Sequence, residues 1–242
     1  MTIASAIINA KNKIANIYSS LANKGAILPV IQNLTNIPPV INQFSIAYSN
    51  FLLYGNLSVN TTTGIVSDFS NNSNYLKLPT VFDPAGLPWE VSMKFTTVND
   101  TTTKQVLFHS SPATDRYGIV FQISGASGDG LFQLDIGGSS SSWLWYASGT
   151  HSIQPNTTYY VKFGWTGTEY YMDYSFDGET YTRDISGTKS LPVRTPLNTT
   201  YIGIYNYSSS TKHDAMKGSI DLSQSYAKIN GELVWTALAI GR

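Results

Sequence analysis

The sequence predicts a mainly β protein, a two-layered sandwich (residues 46–242) preceded by a small N-terminal α-helical segment (residues 1–45). Three observations predict it. From about Phe44 onward apolar residues recur with a period of two, the pattern of half-buried strands. The candidate strands are bounded by Gly, Asn, Ser and Pro clusters. Solvation falls to Ser, Thr, Asn and 16 tyrosines, because only 12% of the 242 residues are charged, and such a composition suits strand faces and turns.

The helical segment comes first. Ile3, Ile7, Ala10, Ile14, Ile17 and Leu21 alternate by four and three residues, which is a heptad seam. Thr2 is placed as an N-cap, Lys24 suits the negative end of the helix dipole, and Gly25 suits a left-handed C-cap. Isoleucine at both seam positions favours three or more helices, so a homotrimer is the first expectation. The alternative is that the stripe docks on the chain's own β domain. Pro38 and Pro39 suit the first turn of a second short helix. Lys11, Lys13 and Lys24, with no Asp or Glu near them, form a weakly positive collar or are simply solvated.

Strands follow. Trp89, Val91, Met93 and Phe95 alternate with polar residues, as do Tyr159, Val161, Phe163 and Trp165. Further strands are expected at 76–78, 105–109, 118–123, 131–136, 201–206 and 219–228. Asp177-Gly178, between alternating residues, predicts a tight hairpin turn with positive φ angles.

Charge and cysteine content exclude several classes. Fifteen basic and 15 acidic side chains balance, and Lys and Arg form no cluster, which argues against nucleic acid as a partner. Without cysteine there is no disulfide framework and no thiolate metal site. No apolar run approaches the roughly 20 residues of a spanning helix, and Asn9 and Asn12 interrupt any signal-peptide pattern. A soluble, extracellular or virion-borne protein is the expectation.

Two resemblances add to this reading. The run of helix, Lys24-Gly25, a proline turn and Asn33-Leu34-x-x-Ile37-x-x-x-Ile41 resembles the small helical module of bacteriophage tail and fibre proteins. That resemblance implies a mount for receptor-binding domains, with other virion proteins contacted through residues 1–45. The ordered segments 75–79, 88–95, 107–110, 117–121, 156–163, Asp177-Gly178, 201–203, 217–222 and 226–235 resemble a laminin-G-like or concanavalin-A-like jelly roll. This second resemblance implies a fold that commonly binds glycans or proteins and only in some members hydrolyses sugars.

Catalysis is not expected. A retaining glycosidase needs two carboxylates about 5 Å apart, whereas Glu169 and Asp173, on one strand face, are roughly 13 Å apart at strand rise. His109, His151 and His213 lack metal-ligand spacing, and Gly-x-Ser-x-Gly is absent. Residues 125–130 have the glycines of a phosphate loop but not its Lys-Ser/Thr ending, and read as a hairpin loop. No cofactor is expected; loop Asp129 or Asp135 would be the calcium ligand if the domain bound one, as some laminin-G-like domains do.

Glycan binding needs an aromatic face for sugar C–H groups, with polar side chains for hydroxyls. Trp143, Trp145 and Tyr146 follow a serine run, with the two tryptophans expected on one strand face; they are either an exposed platform or core anchors. Tyr205, Asn206 and Tyr207 open a polar loop and form a sugar platform or a long solvated turn. Arg116 is placed to fork onto a sugar carboxylate, or else to pair with Asp115 or Asp129. The expected partners are host or mucosal glycans, and the expected location is the virion surface. The alternatives are a protein that only decorates or cements the virion, and a glycan hydrolase.

Overall fold

A computed structural model describes residues 52–236, apart from 61–63, 70, 79, 113–114, 124–127 and 208–210. The heptad seam, the trimer and the boundary expected at residue 45 lie outside the described residues. The β unit spans Phe51–Ala237.

Two antiparallel sheets stack as a jelly-roll sandwich of the expected mainly β class. One has seven strands in the order β1 (Leu52–Tyr54), β4 (Tyr75–Lys77), β13 (Thr199–Ile202), β6 (Gln105–Ser111), β7 (Ile119–Ile123), β8 (Leu131–Gly137) and β9 (Trp143–Ser152). The other runs β12 (Thr182–Thr188), β11 (Glu169–Ser175), β10 (Thr158–Trp165), β5 (Trp89–Thr96), β16 (Ser219–Ile229), β3 (Ile65–Ser67) and β2 (Ser58–Asn60), with β17 (Glu232–Thr236) on β16. A two-stranded ribbon, β14 (Tyr205–Asn206) with β15 (Lys212–His213), lies outside both.

The period-two pattern sets the pairing register. Tyr159 faces Phe95, Val161 faces Met93, Phe163 faces Val91 and Trp165 faces Trp89, so β5 and β10 turn their apolar sides to one interior. Across that interior Phe163 stacks on Phe121 of the seven-stranded sheet at 4.6 Å and meets Phe108 edge-on at 5.6 Å. Phe95 likewise meets Phe132 at 6.2 Å. The core is thus a line of rings shared by both sheets.

Two local expectations are corrected. Residues 201–206 are not one strand, because the chain turns at Gly203 with φ 81°. A Cβ at that position would lie 2.3 Å from Cδ1 of Phe69, so the close approach requires glycine. After the turn, β14 leaves the sheet and folds over its outer side. The Asp177-Gly178 hairpin does join β11 to β12, but through residues 176–181 rather than a tight turn. Only Gly178 has a positive φ there, and the Asp177 carboxylate accepts from the backbone N–H groups of Glu179 and Thr180, both at 2.8 Å. Those two N–H donors hold the Asp177 pKa down to about 2.

One side chain ties the edge strands of the two sheets together. Asp184 of β12 accepts from the N–H groups of Thr150 (2.8 Å) and His151 (3.0 Å) in β9, and from the Thr150 hydroxyl (3.1 Å). Asp184→Ala strands those two donors and is expected to cost about 2 kcal/mol by urea unfolding. A loss under about 0.5 kcal/mol would show that the edges are held by packing alone.

Candidate functional site

The outer face of the seven-stranded sheet collects polar and aromatic residues. With Phe108, Phe121 and Leu134 turned inward, strand alternation turns His109, Val120 and Asp135 outward. Register extends this row across six strands: Lys77, Tyr201, His109, Val120, Asp135 and Tyr146. The β14–β15 ribbon covers part of it, with Tyr205 stacked on His109 at 4.7 Å.

Beneath the ribbon, His109 is fully buried and neutral. Its Nδ1 accepts from the Asn206 backbone N–H (2.9 Å), which leaves Nε2–H to donate to the Arg116 carbonyl (3.1 Å). Burial presses its pKa down to about 3. Asp135 is nearly buried as well, accepting from Gln122 Nε2 (2.8 Å) and Gln133 Nε2 (2.6 Å). Burial outweighs those bonds and pushes its carboxyl up to about 6.

Next to the ribbon the face is open. The Arg116 guanidinium lies 4.9 Å from the Tyr207 ring and 5.1 Å from the Tyr117 ring, and donates to the Tyr117 hydroxyl (3.2 Å). Tyr117 meets Trp143 edge-on at 5.0 Å, and Trp143 packs on Val106, Val120 and Tyr205 while staying partly exposed. Tyr207 is 43% exposed, and Tyr146, on the edge strand β9, 67% exposed. Tyr117 and Tyr207 thus form a shelf of rings around one guanidinium, with Trp143 beside Tyr117.

The structure brings together most of the residues singled out in the sequence and separates others. Trp143 and Trp145 do not share a face. A bulge sets Trp143 opposite Gly137 but Trp145 opposite Ile136, so the extra residue turns Trp145 inward. There it stacks on Tyr170 at 5.5 Å. Tyr205 and Asn206 are buried, which leaves Tyr207 as the ring of that triplet available for contact. Asp115 does not pair with Arg116; both its oxygens accept from Arg194 Nη1, at 3.1 and 3.0 Å. Glu169 and Asp173 are bridged by Arg183, so the carboxylates nearest to a hydrolytic pair are engaged in an ion-pair network.

For calcium the described residues offer little. Asp129 accepts from the Leu131 N–H (3.2 Å), Asp135 is held by two amides, and no group of three His, Cys, Asp or Glu side chains converges among the described residues. A separate groove of about 530 Å³ is lined by Ser67, Asp68, Phe69, Thr96 and Lys217. Its lysine is paired with Asp100 at 2.5 Å and its one ring, Phe69, is buried.

No family model matches the chain, and no curated protein matches it. Among solved structures it is similar to the enzymatically active domain of tailspike protein 2 of bacteriophage CBA120, with TM-score 0.53 and 13% identity over 74% of this chain and 28% of that one. It is also similar to the binding domain of botulinum neurotoxin serotype D, with TM-score 0.51 and 14% identity over 73% of this chain and 42% of that one. The chain therefore spans less than half the length of either. At these identities the likeness is one of fold, and it agrees with the jelly-roll sandwich seen here.

Proposed function

We propose that the protein is a non-catalytic virion protein of a bacteriophage whose jelly-roll domain binds cell-surface or mucosal glycans. One observation supports it most: Tyr117 and Tyr207 flank Arg116, Trp143 packs on Tyr117, and Tyr146 lies on the same sheet face, all four rings at least partly open. Ring faces take the C–H side of a sugar, while a guanidinium and nearby amides serve its oxygens. Such shallow sites bind weakly one at a time. The heptad seam from Ile3 to Leu21 supplies the remedy, since three sites on one trimer multiply affinity through avidity. A tailspike domain among the similar folds is consistent with this reading.

A glycan array probed with the intact oligomer tests it. Specific binding is expected, falling about tenfold or more when Trp143→Ala and Tyr146→Ala are combined. Silence across neutral and acidic glycans would favour the competing role, a decorating or cementing protein that contacts only other virion proteins. Solution mass with and without residues 1–45 tests the trimer; a monomer in both cases removes it.

A further inference from the structure

We infer that the glycan held by this face is a polycarboxylate, a chain of uronic or sialic acids, with Arg116, Lys77 and Lys212 as its counter-charges. This rests on the glycan reading of the same face and narrows it to one chemical class.

Three cations there lack an acid among the described residues. Arg116 is held by two rings, and its sequence neighbour Asp115 is taken by Arg194 at 3.0 Å. Lys77 of β4 and Lys212 of β15 both approach the Tyr201 ring, at 5.9 and 5.2 Å, and Lys212 also approaches Tyr75 at 5.5 Å. None of the three makes an ion pair among the described residues. Lys94, Lys104, Arg183, Arg194 and Lys217 do, whereas on the other sheet Lys162 and Lys228 lie over the Tyr181 and Tyr226 rings with no ion pair among the described residues. Burial, together with the charge of Lys77, depresses the Lys212 pKa, as expected for two ammonium groups with no counter-ion between them.

The acids of this face do not balance them. Asp214 is matched by Lys104 (3.3 Å) and also meets the His213 ring (2.8 Å), and Asp135 is buried and bound by two glutamine amides. An anion arriving at the surface therefore meets unspent positive charge backed by aromatic rings. A guanidinium pinned in a plane suits a carboxylate fork, whereas the lysines act as point charges. The cations sit apart, with Arg116 against Tyr207 after β14 and the lysines around Tyr201. One carboxylate cannot serve them all, but a chain bearing a carboxylate on every residue can.

Full-length protein is titrated with oligogalacturonate, oligosialate, the methyl ester of each, and a sulfated heparin oligosaccharide. Expected is binding to one or both acids, at least tenfold weaker binding to the matching ester, and weakening with added salt. Arg116→Gln and the pair Lys77→Gln with Lys212→Gln should each lower affinity about tenfold. Lys228→Gln, on the other sheet, should not. Equal binding of acid and ester overturns the inference while leaving the glycan reading intact, as does binding confined to neutral sugars or to the sulfated chain. Failure to bind any carbohydrate removes both.

Discussion

Phe163→Ala is expected to cost about 3–5 kcal/mol of folding stability, the range for truncating a buried aromatic. Phe163 is wholly buried at the middle of β10, and its ring contacts come from both layers: Phe121 at 4.6 Å, Phe108 at 5.6 Å and Trp89 at 6.2 Å. Removing it takes a stacked partner from Phe121 and leaves a void that rigid, hydrogen-bonded sheets cannot close. Phe163→Leu fills most of the volume and should cost far less. Tyr146→Ala, at an exposed edge, should stay within about 0.5 kcal/mol of wild type. Denaturant unfolding of the four proteins checks the ranking. A Phe163→Ala loss under 1 kcal/mol would mean that the two sheets do not share the ring core described.

That core was legible in the sequence because it depends on local alternation. Trp89 to Phe95 and Tyr159 to Trp165 announce a buried side every second residue, and the pairing of β5 with β10 follows once both sides seek one interior. The short strands β1, β2 and β3 were not legible. With three residues each they show no period, and their pairing is fixed by distant partners such as Ile220 against Val66. The split of residues 201–206 was missed for a related reason. A lone glycine marks either a bend or a weak strand, and only the Phe69 ring lying against Gly203 decides between them.

The site was legible in its parts and not in its assembly. Trp143, Tyr146, Tyr207 and Arg116 could be named from loop context, yet nothing local says that they share one sheet face. The fate of Trp145 turned on a single bulged residue, which inverts facing without leaving a mark in composition. Lys77, Tyr201 and Lys212 come from three separated segments and were missed altogether. His109, Gln122 and Asp135 did leave a signal, as polar residues inside apolar strand runs that suggest a second, polar surface.

Those buried polar residues set an unusual pH response. Asp135 has its carboxyl raised by burial to about 6, so between roughly pH 4 and 6 the folded state holds a proton that the unfolded chain has lost, and stability rises as pH falls. His109 has the opposite sign. Burial lowers its pKa to about 3, so below about pH 6.5 the unfolded chain gains a proton that the folded state refuses, and stability falls with pH. Each slope is about 1.4 kcal/mol per pH unit, and over the shared window they cancel. Between pH 6 and 4 these two groups therefore leave wild-type stability level, so the drift that remains comes from His151, with a steeper loss below as Asp177, whose carboxyl is held near 2, begins to matter. Asp135→Asn removes one side of the balance. Gln122 Oε1, buried with no hydrogen-bond partner among the described residues, becomes available to accept from the new amide, so the variant should be at least as stable as wild type near pH 7. On acidification it should then lose about 2–3 kcal/mol more than wild type by pH 4. His151, whose pKa burial also lowers, tilts both proteins alike and drops out of the difference. Parallel stability curves for the two proteins would show that the Asp135 carboxyl titrates as it does in water, and that the cover formed by the β14–β15 ribbon leaves it open to solvent.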